Sequence, residues 1–260
     1  MVFFYFKEKT AYDVVVCDCS SDLCSADLQS HNICESGKIV EAAKKYSRVV
    51  QVGTQNRSKE YNLQAREYVK SGKLGKIGLV KVFNLKSGGP FTLGDPGKQP
   101  DGFDWDRWLG RAAVRPYHQR LFSSGWHNYW DFCGGDTTDD GIHQLDLALM
   151  LLGDPGLPKS VRSVGGRFVH RGDDSEVPDV QVSNWEFDDF LLTFELTGYP
   201  KYMVKSTDAL RRRGIVSDWK QNSTRIEIYG SEQLMIVGRH GGGFVVEKND
   251  SQTVEKVLGE

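Results

Sequence analysis

The spacing of apolar residues gives the first third of the chain helical periods and most of the remainder strand periods. Ile39, Val40, Ala43 and Tyr46 recur at helical spacing behind Asn32 and Glu35, which have the separation of a capping box, so a helix is predicted to end near Ser47. Arg48 to Gly53 is a short apolar run emptying into a glycine and reads as a buried strand. Ser58 is placed to cap a second helix, which turns Tyr61, Ala65, Tyr68 and Val69 inward and stops at Gly72. Helix, strand and helix in that order make α/β supersecondary structure, and in an open parallel sheet ligands bind beyond the carboxyl ends of the strands. Gly53, Gln55, Asn56 and Arg57 stand at that end and are candidate cofactor-binding residues.

From Ile77 the pattern changes. Ile77 to Leu85 reads as a strand, and the Gly, Pro and Asp-rich stretch from Ser87 to Asp106 reads as a loop of a length that usually carries function or moves. Ile142, Leu145, Leu149 and Met150 then predict a helix closed by Gly153-Asp154-Pro155-Gly156. After it, strand-like runs cover 160–169, 180–188, 190–197, 201–207, 224–230, 233–237 and 243–247, with turns such as Asp188-Asp189 and Gly198-Tyr199-Pro200 between them. The expectation is a largely antiparallel sheet that starts at Ile77 and is interrupted by the loop and the helix. Residues 12–16 read as a short strand, but the rest of 1–30 follows neither period.

Composition narrows the function. A chain of 260 residues that is 39% hydrophobic can build a sizeable core. Its net charge of −2 and the absence of a basic tract interleaved with aromatics argue against a nucleic-acid partner, and Arg211-Arg212-Arg213 reads as a solvated turn. No apolar run has the length of a membrane span and the first residues lack the order of a secretory signal, so a cytoplasmic location is expected. Cys17, Cys19, Cys24 and Cys34 crowd the start while Cys133 stands alone; an odd total with no histidine at finger spacing argues against a disulfide framework or a zinc module.

The candidate chemistry lies at the start of the predicted helix. Asp140 and His143 fall on nearby surface, with Asp146 a further turn along. A carboxylate and an imidazole at that spacing can share a proton, so His143 would act as general acid or base, with Asp140 orienting it or touching substrate. The same residues also suit a capped helix whose histidine is satisfied by a nearby acid. Asp136, Asp139, Asp140, His143 and Asp146 offer metal ligands, but no second cluster completes a shell, and no metal is expected. Trp105, Trp108, Trp126, Tyr129 and Trp130 make 103–132 unusually aromatic, either as a satellite core or as a carbohydrate-stacking wall in which Trp126 would touch substrate. No nucleophile elbow and no phosphate-binding loop is present.

Several motifs occur in order: Ser30-His31-Asn32-Ile33, Val50 to Arg57, Ser71 to Gly78, Trp130-Asp131-Phe132 leading into Gly134-Gly135-Asp136, and Asp-x-Gly-x-His-x-x-Asp ending at Asp146. On these the chain resembles the Gfo/Idh/MocA family, the glucose–fructose oxidoreductase and inositol dehydrogenase type, from about Leu28 to the C-terminus. The resemblance implies an α/β remnant of a Rossmann-like domain over 1–72, atypical over 1–28, followed over 73–260 by an α+β domain with a large, mostly antiparallel sheet. It implies hydride transfer between NAD or NADP and a sugar or polyol, with Asp140 and His143 as the family's aspartate and histidine. Gln55, Asn56 and Arg57 would lie near cofactor and substrate, Lys86 and Asp146 would be substrate contacts, and the exposed sheet face could join copies into a homo-oligomer.

Departures from the family pattern accompany the likeness. No Gly-x-Gly-x-x-Gly follows a first strand, and about a hundred residues that build the first half of such a nucleotide domain are missing. The family's Glu-Lys-Pro is replaced in register by Ala26-Asp27-Leu28, with Glu8-Lys9-Thr10 a displaced candidate. An N-terminally truncated oxidoreductase with impaired activity is therefore expected. The alternative is a non-catalytic relative serving as a binding or oligomerisation module.

Overall fold

Ile77 to Leu85 forms β1, and the remaining strands assemble on either side of it. The computed structural model describes residues 33–50, 52–86, 88–200, 223–239, 243–249 and 252–258. The strand at 12–16, the first three cysteines, Lys9, the Asn32 cap, the strand at 201–207 and the arginine run at 211–213 lie outside the described residues. The described chain divides into two compact units, one of 33–53, 91–139 and 173–177, the other containing the sheet.

Among the described residues the sheet has eight strands in the order β2-β3-β4-β1-β5-β6-β7-β8. After β1 these are β2 (Ser160–Gly166), β3 (Val180–Glu186), β4 (Leu191–Thr197), β5 (Thr224–Gly230), β6 (Leu234–Gly238), β7 (Gly243–Lys248) and β8 (Gln252–Leu258). Among the described strands only β1 with β4 is parallel, with Val82 opposite Phe194, and the other pairings are antiparallel. A parallel pair needs a long crossover, and the chain between these two strands contains the loop, the helix and the β2–β3 hairpin. A helical and mixed N-terminal region followed by a large, mostly antiparallel sheet is the architecture the sequence implied. Edge strand β8 was not expected; β7 supplies its partner.

Alternation decides which face is buried. Val80 and Val82 of β1, Leu192, Phe194 and Leu196 of β4, and Ile226 and Ile228 of β5 share a core with Leu147, Ala148, Met150 and Leu151 of helix α4 (Gly141–Leu151), which follows α1 (Ile33–Lys45), α2 (Glu60–Lys70) and α3 (Trp105–Leu109). Leu145, Leu149 and Leu152 also pack against that core, so α4 is apolar around most of its circumference, the signature of a buried helix. Ala65 and Tyr68 bring α2 onto the same core. Gly230 is required where β5 ends: a Cβ there would stand 2.0 Å from the Leu74 carbonyl oxygen.

Two local expectations are corrected. Ser58 closes a 3-10 turn, Gln55–Ser58, and α2 starts after Lys59 without a side-chain cap; the Lys59 carbonyl takes the N–H groups of Asn62 and Leu63 instead. The described residues of Arg48 to Gly53 are not in a strand, and Val49 is 86% exposed. A strand needs a neighbour for its backbone groups, and none of the eight described strands pairs with this run.

In the other unit the aromatic interval forms a satellite core. Trp105, Leu109, Tyr117, Leu121 and Tyr129 are buried together, Trp105 stacks on Trp108 at 4.6 Å, and the Trp105 Nε1–H donates to the Arg115 carbonyl at 2.7 Å. Carboxylates fasten the irregular chain: Asp173 and Asp174 accept the N–H groups of Phe91 and Leu93 at 2.7 Å each, and Glu176 that of Trp130 at 3.1 Å. The expected stripe of α1 is less buried, with Val40 and Tyr46 exposed at 52% and 44%.

Asp179 plays the same fastening part between β2 and β3. Its buried carboxylate accepts the N–H groups of Phe168 (2.8 Å), Val169 (3.0 Å) and His170 (2.7 Å), and its own N–H donates to Gly166. Burial pushes this carboxyl up, but the three backbone donors and the Arg167 charge outweigh it and hold the group below the usual carboxylate range. D179A strands those donors and should destabilise the fold by about 2 kcal/mol or more in urea melts. Because the folded value is depressed, the contribution is complete above the ordinary aspartate range and is lost as pH falls through the folded value, so the gap between wild type and D179A should narrow in acid.

Candidate functional site

The carboxyl end of β1 meets the first turn of α4. Asn84 lies on the buried side of β1, and Lys86, two residues on, continues the strand line because its N–H donates to the Thr197 carbonyl of β4 at 2.8 Å. Gln144 of α4 is fully buried and its Nε2 donates to Asn84 Oδ1 at 3.4 Å. Asn84 Nδ2 is buried and has no hydrogen-bond partner among the described residues.

Asp140 precedes α4 as expected, but with helical backbone angles, φ −81° and ψ −30°, its side chain caps nothing. Its carboxylate lies between two cations: Oδ1 accepts from Arg239 Nη1 at 2.7 Å and Oδ2 is 3.2 Å from Lys86 Nζ. Its carbonyl takes the His143 N–H at 3.3 Å. His143 is 3% exposed, on the same turn as Gln144. The tertiary fold thus pairs Lys86 with Asp140, keeps His143 on the same turn through its backbone N–H, and adds Asn84, Gln144 and Arg239, which the sequence does not single out. A charged residue directly after the apolar run Leu234 to Gly238 was the available signal for Arg239.

Counting back from His143 through Gly141, the Asp-x-Gly-x-His pattern begins at Asp139 and not at Asp140. Asp139 is itself buried, 8% exposed, and its N–H donates to the Gly135 carbonyl at 3.0 Å. It ends a segment of the first unit, to which Trp126 and Gly53 also belong; Trp126 is half-buried among the aromatic rings there.

Arg57 and Asp146, assigned by sequence to cofactor and substrate, hold each other. Arg57 Nε lies 2.9 Å from both Asp146 carboxylate oxygens, and Arg57 Nη2 donates to Asp154 Oδ1 at 2.8 Å. Bonds to Asp146 first, then to Asp154, push the guanidinium further up, and Arg57 in turn draws the Asp154 carboxyl below its usual range. The pairings fasten the 3-10 turn to α4 and to the residues just after it. On that turn Gln55 is exposed, whereas Asn56 is buried, gives its carbonyl to Asn62 Nδ2 at 2.8 Å and keeps its own Nδ2 without a partner among the described residues. Tyr61 of α2 donates to the Arg239 carbonyl at 3.2 Å, and burial pushes its hydroxyl up to about 12 against the opposing influence of Asn62 and Arg239. Among the described residues no group of three or more His, Cys, Asp or Glu is placed to hold a metal ion.

The chain is similar in part of its sequence and in its fold to known proteins. Residues 83–167 match the profile described as Oxidoreductase family, C-terminal alpha/beta domain, of Gfo/Idh/MocA type. No curated protein matches the chain. Its fold is similar to that of an inositol dehydrogenase homolog from Azotobacter vinelandii complexed with NADH and myo-inositol (15% identical, TM-score 0.58, covering 89% of this chain and 48% of that one). It is also similar to an oxidoreductase domain protein from Kribbella flavida (19%, 0.59, 89% and 53%) and to a super-repressor mutant of Gal80p from Saccharomyces cerevisiae (14%, 0.54, 90% and 51%). The chain therefore spans about half the length of the structures it resembles.

The Arg57 and Asp146 pairing can be weighed by a double-mutant cycle. With Arg57 about a third exposed, R57A and D146A should show a coupling of about 0.5–1 kcal/mol in thermal or urea melts, shrinking at high salt. A coupling of zero would return both side chains to the pool of ligand contacts.

Proposed function

We propose, from the match of residues 83–167 to the Gfo/Idh/MocA C-terminal domain and the similarity of fold, that this chain belongs to that family and retains the substrate side of an NAD(P)-linked oxidoreductase acting on a sugar or polyol hydroxyl. The observation that carries this reading is the buried His143 on the first turn of α4, its N–H on the carbonyl of Asp140, whose carboxylate pairs with Lys86 and Arg239. An imidazole can take the proton of a carbinol, and a lysine ammonium held by a carboxylate can donate to the same oxygen. In this reading His143 is the general base, Lys86 contacts substrate, Asp140 positions Lys86, and Asp146 contributes through Arg57.

NAD or NADP is the cofactor expected from the family, with Gly53, Gln55, Asn56 and Arg57 as the residues nearest to it. The described donors do not match a pyrophosphate cradle: Gln55 is an exposed amide, Asn56 a buried one, Arg57 is held by two carboxylates, and no glycine-rich turn opens a helix among the described residues. That favours, as a second reading, a non-catalytic relative that binds a small molecule or assembles through its sheet into a homo-oligomer. No helix among the described residues is long and apolar enough to cross a membrane, and a net charge of −2 gives no reason to add a nucleic-acid partner.

Calorimetric titration of monodisperse protein with NAD⁺ and NADP⁺ separates the readings. Saturable binding followed by polyol oxidation, with turnover lowered about 100-fold or more in H143A, is the expected result for the oxidoreductase. Folded protein that binds neither nucleotide would sink that reading and leave the binding or assembly module.

A further inference from the structure

We infer that Arg239 is a positioning residue of this site, the group that fixes Asp140 and Gln144 at the start of α4; its bearing on turnover rests on the oxidoreductase reading above. Arg239 directly follows β6, and its backbone is fixed on both sides. Its N–H donates to the Thr224 carbonyl at 3.2 Å and its carbonyl accepts the Tyr61 hydroxyl at 3.2 Å. Its side chain is 3% exposed and crosses from the sheet to α4, where Nη1 meets Asp140 Oδ1 at 2.7 Å, Gln144 Oε1 at 3.1 Å and the Asp140 carbonyl at 3.4 Å.

A guanidinium buried to that extent is an unfavourable way to fill space. Removing a charge from water costs several kcal/mol, and well-packed apolar residues commonly stabilise a core as much or more. What a guanidinium supplies that an apolar side chain cannot is a rigid planar set of donors able to hold two acceptors at a fixed angle. Both acceptors matter to the site. Asp140 passes the constraint to Lys86 Nζ, 3.2 Å from its other oxygen, and Gln144 passes it to Asn84 through the 3.4 Å bond from Nε2. One side chain from the sheet therefore ties the end of β1 and the first turn of α4 into a single frame, within which His143 is held one residue from Gln144. Arg239 acts through the groups it holds, Asp140 and Gln144.

The test uses the whole protein and two variants, R239M and R239K, read by hydrogen exchange of side-chain amides in NMR spectra, by melting temperature and by steady-state kinetics. Gln181, whose Nε2 donates to Ser163 on the β2–β3 hairpin, is the internal reference for general loosening. Protection of the Gln144 amide should fall about fivefold in R239M relative to Gln181, the equivalent of one net hydrogen bond. A lysine ammonium retains the charge opposite Asp140 but lacks the two N–H bonds that Nη1 holds in one fixed plane toward Asp140 and Gln144, so R239K should lose Gln144 protection while keeping most of the melting temperature, which preserves the test if R239M does not fold. Where polyol turnover is measurable, kcat should fall with KM nearly unchanged, more in R239M than in R239K. Native-like Gln144 protection in either folded variant overturns the inference. Loss of protection in a protein that oxidises no polyol would overturn the oxidoreductase reading and leave the positioning role standing.

Discussion

Burial of α4 against β1, β4 and β5 is the constraint on which the rest of the second unit depends. The helix is apolar on most of its surface, so it is stable only beneath a sheet face wide enough to cover it, and the alternating Val80, Val82, Phe194, Ile226 and Ile228 provide that face. Once α4 is seated there, its first turn stands over the carboxyl end of β1. That places His143 and Gln144 within the same region as Asn84 and Lys86 without any local sequence signal linking them. The chemistry of the candidate site is a consequence of core packing.

The charged residues around that turn follow a second rule, that a group removed from water is paired. Arg239 and Lys86 share the Asp140 carboxylate, and Arg57 takes Asp146 and Asp154. The two sets divide the polar residues of the site by exposure. Around Asp140 the arginine is almost fully buried and the pairing specifies geometry, whereas Arg57 is partly exposed and its pairs are screened by water. In the aromatic unit the same rule works with backbone donors, where Asp173, Asp174 and Glu176 satisfy N–H groups that no strand or helix would otherwise satisfy. The long segment from Phe91 onward is thereby held in place without regular structure, and its tryptophans serve as the packing that such a segment needs.

Elements with their own periodicity were legible in the chain: α2, α4, β1 and the strands β2 to β7 were all anticipated near their observed positions, because each carries a local pattern of burial that one face of a sheet or helix must satisfy. The run at 48–53 shows the limit of that reasoning. Its apolar composition is that of a strand, but strand formation is settled by a neighbour, and none of the described strands pairs with it. Ser58 shows another limit, since a capping residue type is suitable at several positions and the backbone chose Lys59.

For the site, the sequence by itself determined which side chains could do chemistry: a histidine three residues after an aspartate at a helix start, and a lysine where a strand ends. It could not determine their partners. Asp140 meets Arg239 across 99 residues and Arg57 meets Asp146 across 89, distances along the chain that carry no periodic signal. Those pairings were decided only when the sheet closed and drew β6, β1 and α4 together, because a buried charge takes whichever opposite charge the packed core leaves within reach.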